Sequence, residues 1–158
     1  MTVRKATPLD VQDIARLSAL KRKQYEKYQP VFHKEAENAF SAQSLFLTGF
    51  LQKENVVALV EEDAEKGITG FVIGAITNAP PVYDPGGQVC LVDDFMVTDP
   101  SQWETLGKAL LDKVVELCKE KGAVLAIVVC GPLDKAKRDM LNRGGFSVAT
   151  EWNVKDIR

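Results

Sequence analysis

Residues 92–111 read VDDFMVTDPSQWETLGKALL, and this stretch decides the fold class of the chain. The residues up to Val97 suit a strand, Pro100 lies in a short turn, and the periodic residues that follow predict a helix. A helix that begins directly after a strand presents unpaired backbone N–H groups and the positive end of its dipole, which suits a pyrophosphate. Because every crossover helix has such an end, the interpretation depends on the rest of the chain.

Length and composition indicate one globular domain, residues 1–158. Of the 158 residues, 46% are hydrophobic and 27% are charged, which is typical of a folded soluble chain. The net charge of −2 argues against a nucleic-acid partner, which would usually leave a basic patch. No apolar run is long enough for a membrane span, so we expect no membrane association.

The three cysteines indicate a reducing, cytoplasmic location. Cys90, Cys118 and Cys130 form an odd set without paired spacing, which predicts no disulfide framework. A single histidine and the absence of a Cys-x-x-Cys motif predict no metal site. Cys130 precedes Gly131 without a basic neighbour, so burial is the preferred interpretation over a nucleophile.

Hydrophobic periodicity predicts the element order β-α-α-β-β-β-α-β-α-β. Thr7, Pro8 and Asp10 combine a cap, a favoured first residue and a capping acid, and Pro30 ends the helix that follows. The predicted strands are 3–6, 56–60, 70–76, 89–97, 123–130 and 146–154, and the later predicted helices are 34–52, 101–121 and 132–143. This order predicts an α/β (α+β) fold, with a mixed, mostly antiparallel sheet and helices on both faces.

The element order and the decisive stretch together resemble the GCN5-related N-acetyltransferase superfamily, over essentially the whole chain. That family follows its fourth strand with the pattern Gln/Arg-x-x-Gly-x-Gly/Ala, which is similar to Gln102-x-x-Thr105-x-Gly107 here. The family's ending, a helix that runs into Gly-Phe and a last strand, is similar to residues 140–146.

The resemblance implies direct transfer of an acetyl group from acetyl-CoA, as co-substrate, to a primary amine of a small molecule. The cofactor would lie where the fourth and fifth strands diverge, with the N–H of Val97 polarising the thioester carbonyl. The residues that the resemblance assigns to cofactor binding are Met96, Val97, Gln102, Trp103, Thr105, Leu106, Gly107 and Lys108.

Asp93 is the candidate catalytic base, because it aligns with the residue that faces substrate in polyamine-acetylating members. A regular strand alternates faces, so Asp93 and Asp94 would not both face one cleft. Paired structural carboxylates are the alternative. The family's common proton donor, a tyrosine in the last helix, corresponds to Leu141, which leaves Tyr25, Tyr28 and Tyr83 as candidates. His33 beside aromatic residues favours a structural role over catalysis.

Two residues in the turn depart from the family pattern. Thr105 places a Cβ at the first glycine position, and Glu104 adds a negative charge that Lys108 would partly offset. A family asparagine that contacts the cofactor corresponds to Asp134. These departures favour, as the alternative function, a weak or inactive module that binds acyl-CoA or a partner for regulation. A homodimer through the final strand or the first helices is a third hypothesis, and the sequence does not identify the acceptor.

Overall fold

A five-stranded sheet covered by helices forms the body of the molecule, and the computed structural model describes residues 2–158. The strands are β1 (Thr2–Lys5), β2 (Val56–Asp63), β3 (Gly67–Thr77), β4 (Gln88–Val97) and β5 (Ala123–Val128). Their order in the sheet follows their order in the chain. The first four pair antiparallel and β5 pairs parallel to β4, which confirms the predicted mixed, mostly antiparallel sheet.

Helices cover both faces of the sheet, as the sequence predicts. They are α1 (Val11–Tyr28), α2 (Ala39–Phe50), α3 (Lys108–Glu120) and α4 (Lys135–Arg143). One core joins α1 and α2 to β2 and β3, with Ile14, Leu17, Leu47, Val60 and Phe71 fully or almost fully buried. A second core joins α3 and α4 to the other face, with Val72, Val92, Phe95, Leu110, Val114 and Met140 at its centre. No helix among residues 2–158 is long and apolar enough to cross a bilayer.

The start of α1 is held by the cap that the sequence predicts. The Asp10 carboxylate accepts hydrogen bonds from the Thr7 N–H at 2.6 Å and the Thr7 hydroxyl at 2.9 Å. Both terminal nitrogens of Arg4 donate to the same carboxylate, at 2.8 and 2.9 Å. The Arg4 guanidinium holds the pKa of Asp10 at about 2, well below its usual range. This pairing joins β1 to the turn that precedes α1.

Three predicted helices differ from the structure at their first turns. The helix expected over 132–143 begins at Lys135, after a turn at residues 132–133. The helix expected over 34–52 begins only at Ala39, and residues 34–38 form an irregular connection. The helix expected over 101–121 begins as a 3-10 turn, Pro100–Gln102, continues as a π-helical turn, Trp103–Gly107, and becomes α-helical at Lys108. Helical periodicity does not distinguish these narrower and wider turns from an α-helix over so few residues.

Two predictions for the last third of the chain are wrong. The sequence predicts a buried strand over 123–130, yet β5 ends at Val128 and leaves Val124 and Leu125 about half exposed. The final strand, 146–154, does not form in the single chain, where residues 147–158 run without regular structure. Alternation predicts that these residues suit a strand, but a strand also needs a partner edge.

Candidate functional site

A β-bulge in β4 creates the central feature of the candidate site. Val72 pairs with Phe95 and Gly74 pairs with Val92, so Asp93 and Asp94 together oppose one residue of β3. A bulge of this kind bends the strand and increases its twist, and bulges are common next to active sites. Strict alternation of side chains is lost within the bulge. Asp93 and Asp94 therefore need not face opposite sides of the sheet, in contrast to the sequence prediction.

Beyond the bulge, β4 and β5 diverge. Their last paired residues are Val92 and Val128, and the Val129 N–H donates one more bond to the Val92 carbonyl at 2.9 Å. Past this point, Phe95 and the rest of β4 have no strand on the β5 side among residues 2–158. The structure therefore contains the divergence of the fourth and fifth strands that the family resemblance implies.

Lys137 fills the space between the diverging strands. Its side chain leaves α4 fully buried, and Nζ donates to the Val129 carbonyl oxygen at 2.9 Å. The ammonium group also lies 5.0 Å from the ring centroid of Phe95 and 5.4 Å from that of Trp103. Burial lowers the pKa of Lys137 to about 8, and the nearby Lys21 acts in the same direction.

A second lysine connects α1 to the bulge. Lys21 Nζ donates to the Asp93 carbonyl oxygen at 2.7 Å and lies 3.4 Å from the Asp94 carboxylate. Asp94 is therefore paired, as the structural alternative for these carboxylates requires. The Asp93 side chain is exposed and makes no hydrogen bond or ion pair with any residue that the structure describes. Of the two acids, only Asp93 is available to an incoming group.

Tyr25 closes the site at the end of β5. Its hydroxyl donates to the buried Asp134 carboxylate at 3.0 Å and accepts from the Gly131 N–H at 3.3 Å. Burial, with the adjacent Asp134, raises the pKa of Tyr25 far above its usual value. Tyr25 is thus committed to Asp134, and Asp134 is an internal acceptor. His33 stacks on the Tyr25 ring at 5.4 Å, which agrees with the structural role expected for it.

The two remaining tyrosine candidates lie outside the contact between Tyr25 and Asp134. The Tyr28 hydroxyl accepts a hydrogen bond from the Gln24 amide at 2.7 Å. Tyr83 is 72% exposed in the loop between β3 and β4, which lies at the end of the sheet away from the bulge. Leu141 is buried in the core, as its apolar side chain requires. The position of Leu141 itself therefore offers no proton donor.

The π-helical turn packs tightly against β4. Trp103 is 4% exposed, and its ring meets the Phe95 ring edge-on with centroids 4.8 Å apart. Gly107 lies directly over the indole, so that a Cβ there would be 2.6 Å from Trp103 Cε3. The second glycine of the family pattern is therefore needed here for the packing of Trp103.

Gly107→Ala should destabilise the fold by about 1–3 kcal/mol, because the added methyl must displace a packed indole. Thermal unfolding followed by circular dichroism measures this loss. Gly49→Ala is the matched control, since Gly49 is also helical and a Cβ there meets nothing within 4 Å. The control should be neutral or stabilising by about 0.5–1 kcal/mol. Equal melting temperatures for the two variants would contradict the proposed packing role.

Charges around the turn are paired differently from the sequence prediction. Glu104 forms an ion pair with Arg143 at the end of α4, whereas Lys108 pairs with Asp112 one turn further along α3. Lys108 therefore does not offset Glu104. The pair between Glu104 and Arg143 neutralises the charge that would repel a phosphate and also connects the turn to α4.

Asp99 occupies the first amide groups of this segment. Its carboxylate accepts from the Ser101 N–H at 2.9 Å and from the Ser101 hydroxyl at 2.7 Å. These bonds hold the pKa of Asp99 below its usual value. The Gln102 N–H donates to the Asp99 carbonyl, and the Trp103 N–H donates to the Pro100 carbonyl. The first three amides are therefore already used, and an anion would have to contact the turn further along.

The predicted cofactor residues separate into a buried and an accessible group. Val97, Trp103, Leu106 and Gly107 are buried, whereas Met96, Gln102, Thr105 and Lys108 are partly or fully exposed. All eight belong to the continuous segment from the end of β4 to the start of α3. The buried residues stabilise the turn by packing in the core. A cofactor here would contact backbone groups rather than these buried side chains.

Two clefts lie away from the diverging strands. A cleft of about 350 Å³ lies at the opposite end of the sheet, between the start of β2 and the end of α3. A cavity of about 90 Å³ next to the turn is lined by the carboxylates Glu61, Asp63 and Asp99 and by one lysine, Lys66. Neither suits a pyrophosphate as well as the exposed backbone of the turn does.

Lys137 is the functional candidate that sequence reasoning missed. Ala136, Lys137, Met140 and Leu141 follow the spacing of one helix face, so a lysine stands at a position where the pattern requires a buried residue. A charged residue on an apolar face is the signal that could have identified it.

Comparisons with known proteins show likeness of structure and not of sequence. No family model matches the chain, and no curated protein matches it. A mutant of the BH1408 protein from Bacillus halodurans superposes with a TM-score of 0.85 at 14% identity, covering 100% of both chains. A predicted acetyltransferase from Clostridium acetobutylicum, solved with acetyl-CoA, gives a TM-score of 0.74 at 18% identity, covering 99% of this chain and 96% of that one.

A third solved structure is AAC(6')-Iy in complex with the bisubstrate analogue CoA-S-monomethyl-acetylneamine. It gives a TM-score of 0.68 at 14% identity and covers 99% of this chain and 97% of that one. The TM-scores establish the shared architecture. The low sequence identities leave activity and substrate open. With its bulged fourth strand, diverging fifth strand and helices on both faces, the chain has the fold of the GCN5-related N-acetyltransferases.

Proposed function

We propose that this protein is an acyl-CoA-dependent N-acyltransferase that moves an acetyl group from acetyl-CoA to a primary amine of a small molecule. The observation that carries the proposal is the bulge at Asp93 and Asp94, which lies where the pairing of β4 with β5 ends and where the Asp93 carboxylate has no hydrogen-bonding partner among residues 2–158. Structural neighbours that contain acetyl-CoA or a CoA bisubstrate analogue support an acyl-CoA as the donor.

The residues around the diverging strands fit the pantetheine arm of acetyl-CoA. The backbone of β4 beyond the bulge has no β5 partner, and an extended chain that carries amides can hydrogen-bond to such an open strand edge. Phe95 and Trp103 are buried beneath this edge, so the cofactor would contact its backbone rather than these rings. The backbone of the turn 103–107 and Lys108 would hold the phosphates, since Glu104 is neutralised by Arg143.

Asp93 would accept the proton that the amine must lose. A primary amine with a pKa of about 10 is protonated at neutral pH and has no lone pair for attack. An exposed carboxylate next to the cleft attracts the cation and takes its proton, directly or through one water. The amine nitrogen then forms the new C–N bond while the thioester C–S bond breaks.

Lys137 would supply the proton to the departing sulfur. Acetyl-CoA provides an activated acyl carbon, and breaking its thioester leaves a thiolate. Lys137 Nζ is a proton donor held between the strands, hydrogen-bonded to Val129 and surrounded by aromatic rings. Its pKa of about 8 lies close to that of a thiol, so transfer between the two is nearly balanced. Lys137 would thus take the role that Leu141 cannot perform.

Acetyl-CoA should stabilise the protein against heat. At about 100 times its dissociation constant, a ligand that binds only the folded state adds about 2.7 kcal/mol. For a chain of this length, that raises the melting temperature by roughly 5–10 °C. Differential scanning fluorimetry with acetyl-CoA, CoA and, as a control, adenosine 3',5'-bisphosphate separates binding of the whole cofactor from binding of its nucleotide. No shift at millimolar acetyl-CoA would refute the proposal.

A binding module without turnover is the second candidate function. Two observations favour it: Lys137 fills the space between the strands, and Asp99 occupies the first amides of the turn. Release of free thiol from acetyl-CoA in a panel of primary amines distinguishes the two functions. Stabilisation by acetyl-CoA with no thiol release above background would support the module, and thiol release with any amine would exclude it.

A further inference from the structure

The lysine between the diverging strands has the properties of a nucleophile as well as those of a proton donor. Lys137 is the only buried lysine among residues 2–158, and every other lysine of this range is partly or fully exposed. Its Nζ donates to the Val129 carbonyl oxygen at 2.9 Å, which holds the nitrogen directly beyond the end of β5. A neutral amine in this place would therefore present its lone pair from a fixed position.

The surroundings of Lys137 favour the neutral amine. Burial and, second, the ammonium group of Lys21 on α1 lower its pKa to about 8. The groups that act in the opposite direction are Asp93 on β4 and, beyond β5, Cys130 and Asp134. At pH 7, roughly 10% of a lysine with a pKa of about 8 is neutral, against roughly 0.03% of a lysine at its ordinary value of 10.5.

The proposed proton transfer brings this nitrogen close to the acyl carbon. Lys137 Nζ can protonate the departing sulfur only from hydrogen-bond distance. Because the carbonyl carbon is bonded to that sulfur, a nitrogen that reaches the sulfur also comes close to the carbon. The neighbouring ammonium of Lys21 is bound instead to the Asp93 carbonyl and the Asp94 carboxylate. Without an acceptor in the cleft, Lys137 is the amine that the fold itself places beside the thioester.

We propose that acetyl-CoA acetylates Lys137 when no acceptor amine is bound, and that this self-acetylation switches off acyl transfer. The inference rests on the proposed function, since it requires acetyl-CoA between the strands. The Nζ lone pair forms the new C–N bond to the acyl carbon while the thioester C–S bond breaks. The proton that the nitrogen loses passes to the CoA thiolate. The products are a side-chain amide and CoA, so the step needs no further reactant.

The acetylated side chain suits the same surroundings. Its amide nitrogen keeps one N–H, which can still donate to the Val129 carbonyl oxygen. The amide carries no charge, so the cost of burying an ammonium group is removed. It also releases no proton near neutral pH, so the modified Lys137 cannot protonate a thiolate. We therefore expect the acetylated protein to be at least as stable as the unmodified one and to lack its proton donor.

Mass spectrometry of the full chain, incubated with acetyl-CoA and no amine, tests the inference. One acetyl group should be added per chain, and peptide mapping should place it on Lys137. Lys135 is the matched control, because it lies on the same helix with its side chain 84% exposed. Acetylation of Lys135 should be slower by about 10- to 300-fold, where the neutral fraction sets the upper figure and the weaker nucleophilicity of a less basic group the lower.

Two chemical controls separate a positioned reaction from general acetylation. Acetic anhydride, which needs no binding site, should modify the exposed Lys135 before the buried Lys137. Hydroxylamine, which cleaves thioesters and spares amides, should leave the acetyl group in place, whereas its removal would assign the label to Cys130. The rate of labelling at Lys137 by acetyl-CoA should level off above about pH 8, because the amine is then already neutral.

The switch itself is tested on protein that has been acetylated beforehand. Its rate of thiol release with an amine should be about 100-fold below that of the unmodified protein, as for any loss of the proton donor. Equal rates would overturn the switch, and labelling of Lys137 no faster than of Lys135 would overturn the self-acetylation. If acetyl-CoA raises the melting temperature and leaves Lys137 unmodified, the inference fails while the proposed cofactor site stands. If it neither stabilises nor labels the protein, the proposed function fails as well.

Discussion

Replacing Lys137 with methionine is expected to stabilise the fold at neutral pH and to slow acyl transfer by about 100-fold. The ammonium group is fully buried, and its partners are one carbonyl oxygen and two aromatic rings. Burial lowers its pKa from 10.5 to about 8, which corresponds to a cost on the order of 3 kcal/mol for holding the charge in the fold. Methionine has a similar length and carries no charge.

The gain in stability should depend on pH in a defined way. Between pH 8 and 10.5 the unfolded chain binds more protons at residue 137 than the folded chain does, so wild-type stability rises with pH across this window. The cost of the charge is fully present below pH 8. Since the variant also leaves the Val129 carbonyl without a donor, at about 1 kcal/mol, its net advantage near pH 7 should be roughly 2 kcal/mol.

Urea unfolding at several pH values measures this difference, with Lys135→Met as the control. Lys135 lies on the same helix, and its side chain is 84% exposed beside Asp139. Its replacement should change the free energy of unfolding by less than about 0.5 kcal/mol at every pH. A Lys137→Met protein that is less stable than wild type from pH 6 to 10 would show that the buried ammonium stabilises the fold.

The kinetic half of the prediction depends on the proposed activity. A proton donor typically contributes 10²- to 10⁴-fold, and we expect the lower figure because solvent can protonate a thiolate. The rate at saturating acetyl-CoA should fall as the pH rises through about 8 in the wild type, and this decline should be absent from Lys137→Met. A variant with wild-type rates and the same pH profile would exclude Lys137 as the donor.

Features set by neighbouring residues could be predicted from the sequence. The cap at Thr7 and Asp10 and the end of α1 before Pro30 follow from contacts within a few residues. The diverging strands were expected only from the family resemblance, and the register of β4 and β5 agrees with that expectation. The π-helical turn lay beyond this approach, since it depends on how Trp103 packs against Phe95.

The remaining features depend on residues distant in the chain. Arg143 pairs with Glu104 across 39 positions, so sequence proximity favoured Lys108 instead. The bulge is defined only by the register of β4 against β3. The final strand illustrates the limit most clearly, because alternation describes what residues 146–154 can do and not which edge they meet.

Asp93→Asn is expected to lower the rate of acyl transfer by about 100-fold while leaving the stability of the fold unchanged. The side chain is exposed and makes no hydrogen bond or ion pair with another described residue, so an amide of the same shape mainly removes the proton acceptor. The loss should be large for amines with a pKa near 10 and should shrink for weakly basic amines that are already neutral at the assay pH. A purely structural role would not produce this dependence on acceptor basicity.

Asp94→Asn is the neighbouring control for this assignment. Asp94 is paired with Lys21 and is 26% exposed, so its replacement should cost stability, at most about 1 kcal/mol, and change the rate only slightly. Thiol release measured against a series of amines of decreasing basicity compares the two variants. A larger loss of rate in Asp94→Asn than in Asp93→Asn would move the base to Asp94. Because the bulge removes strict alternation, the register alone does not decide which carboxylate meets the amine. The ion pair between Asp94 and Lys21 decides it, since it leaves only the Asp93 carboxylate without a partner.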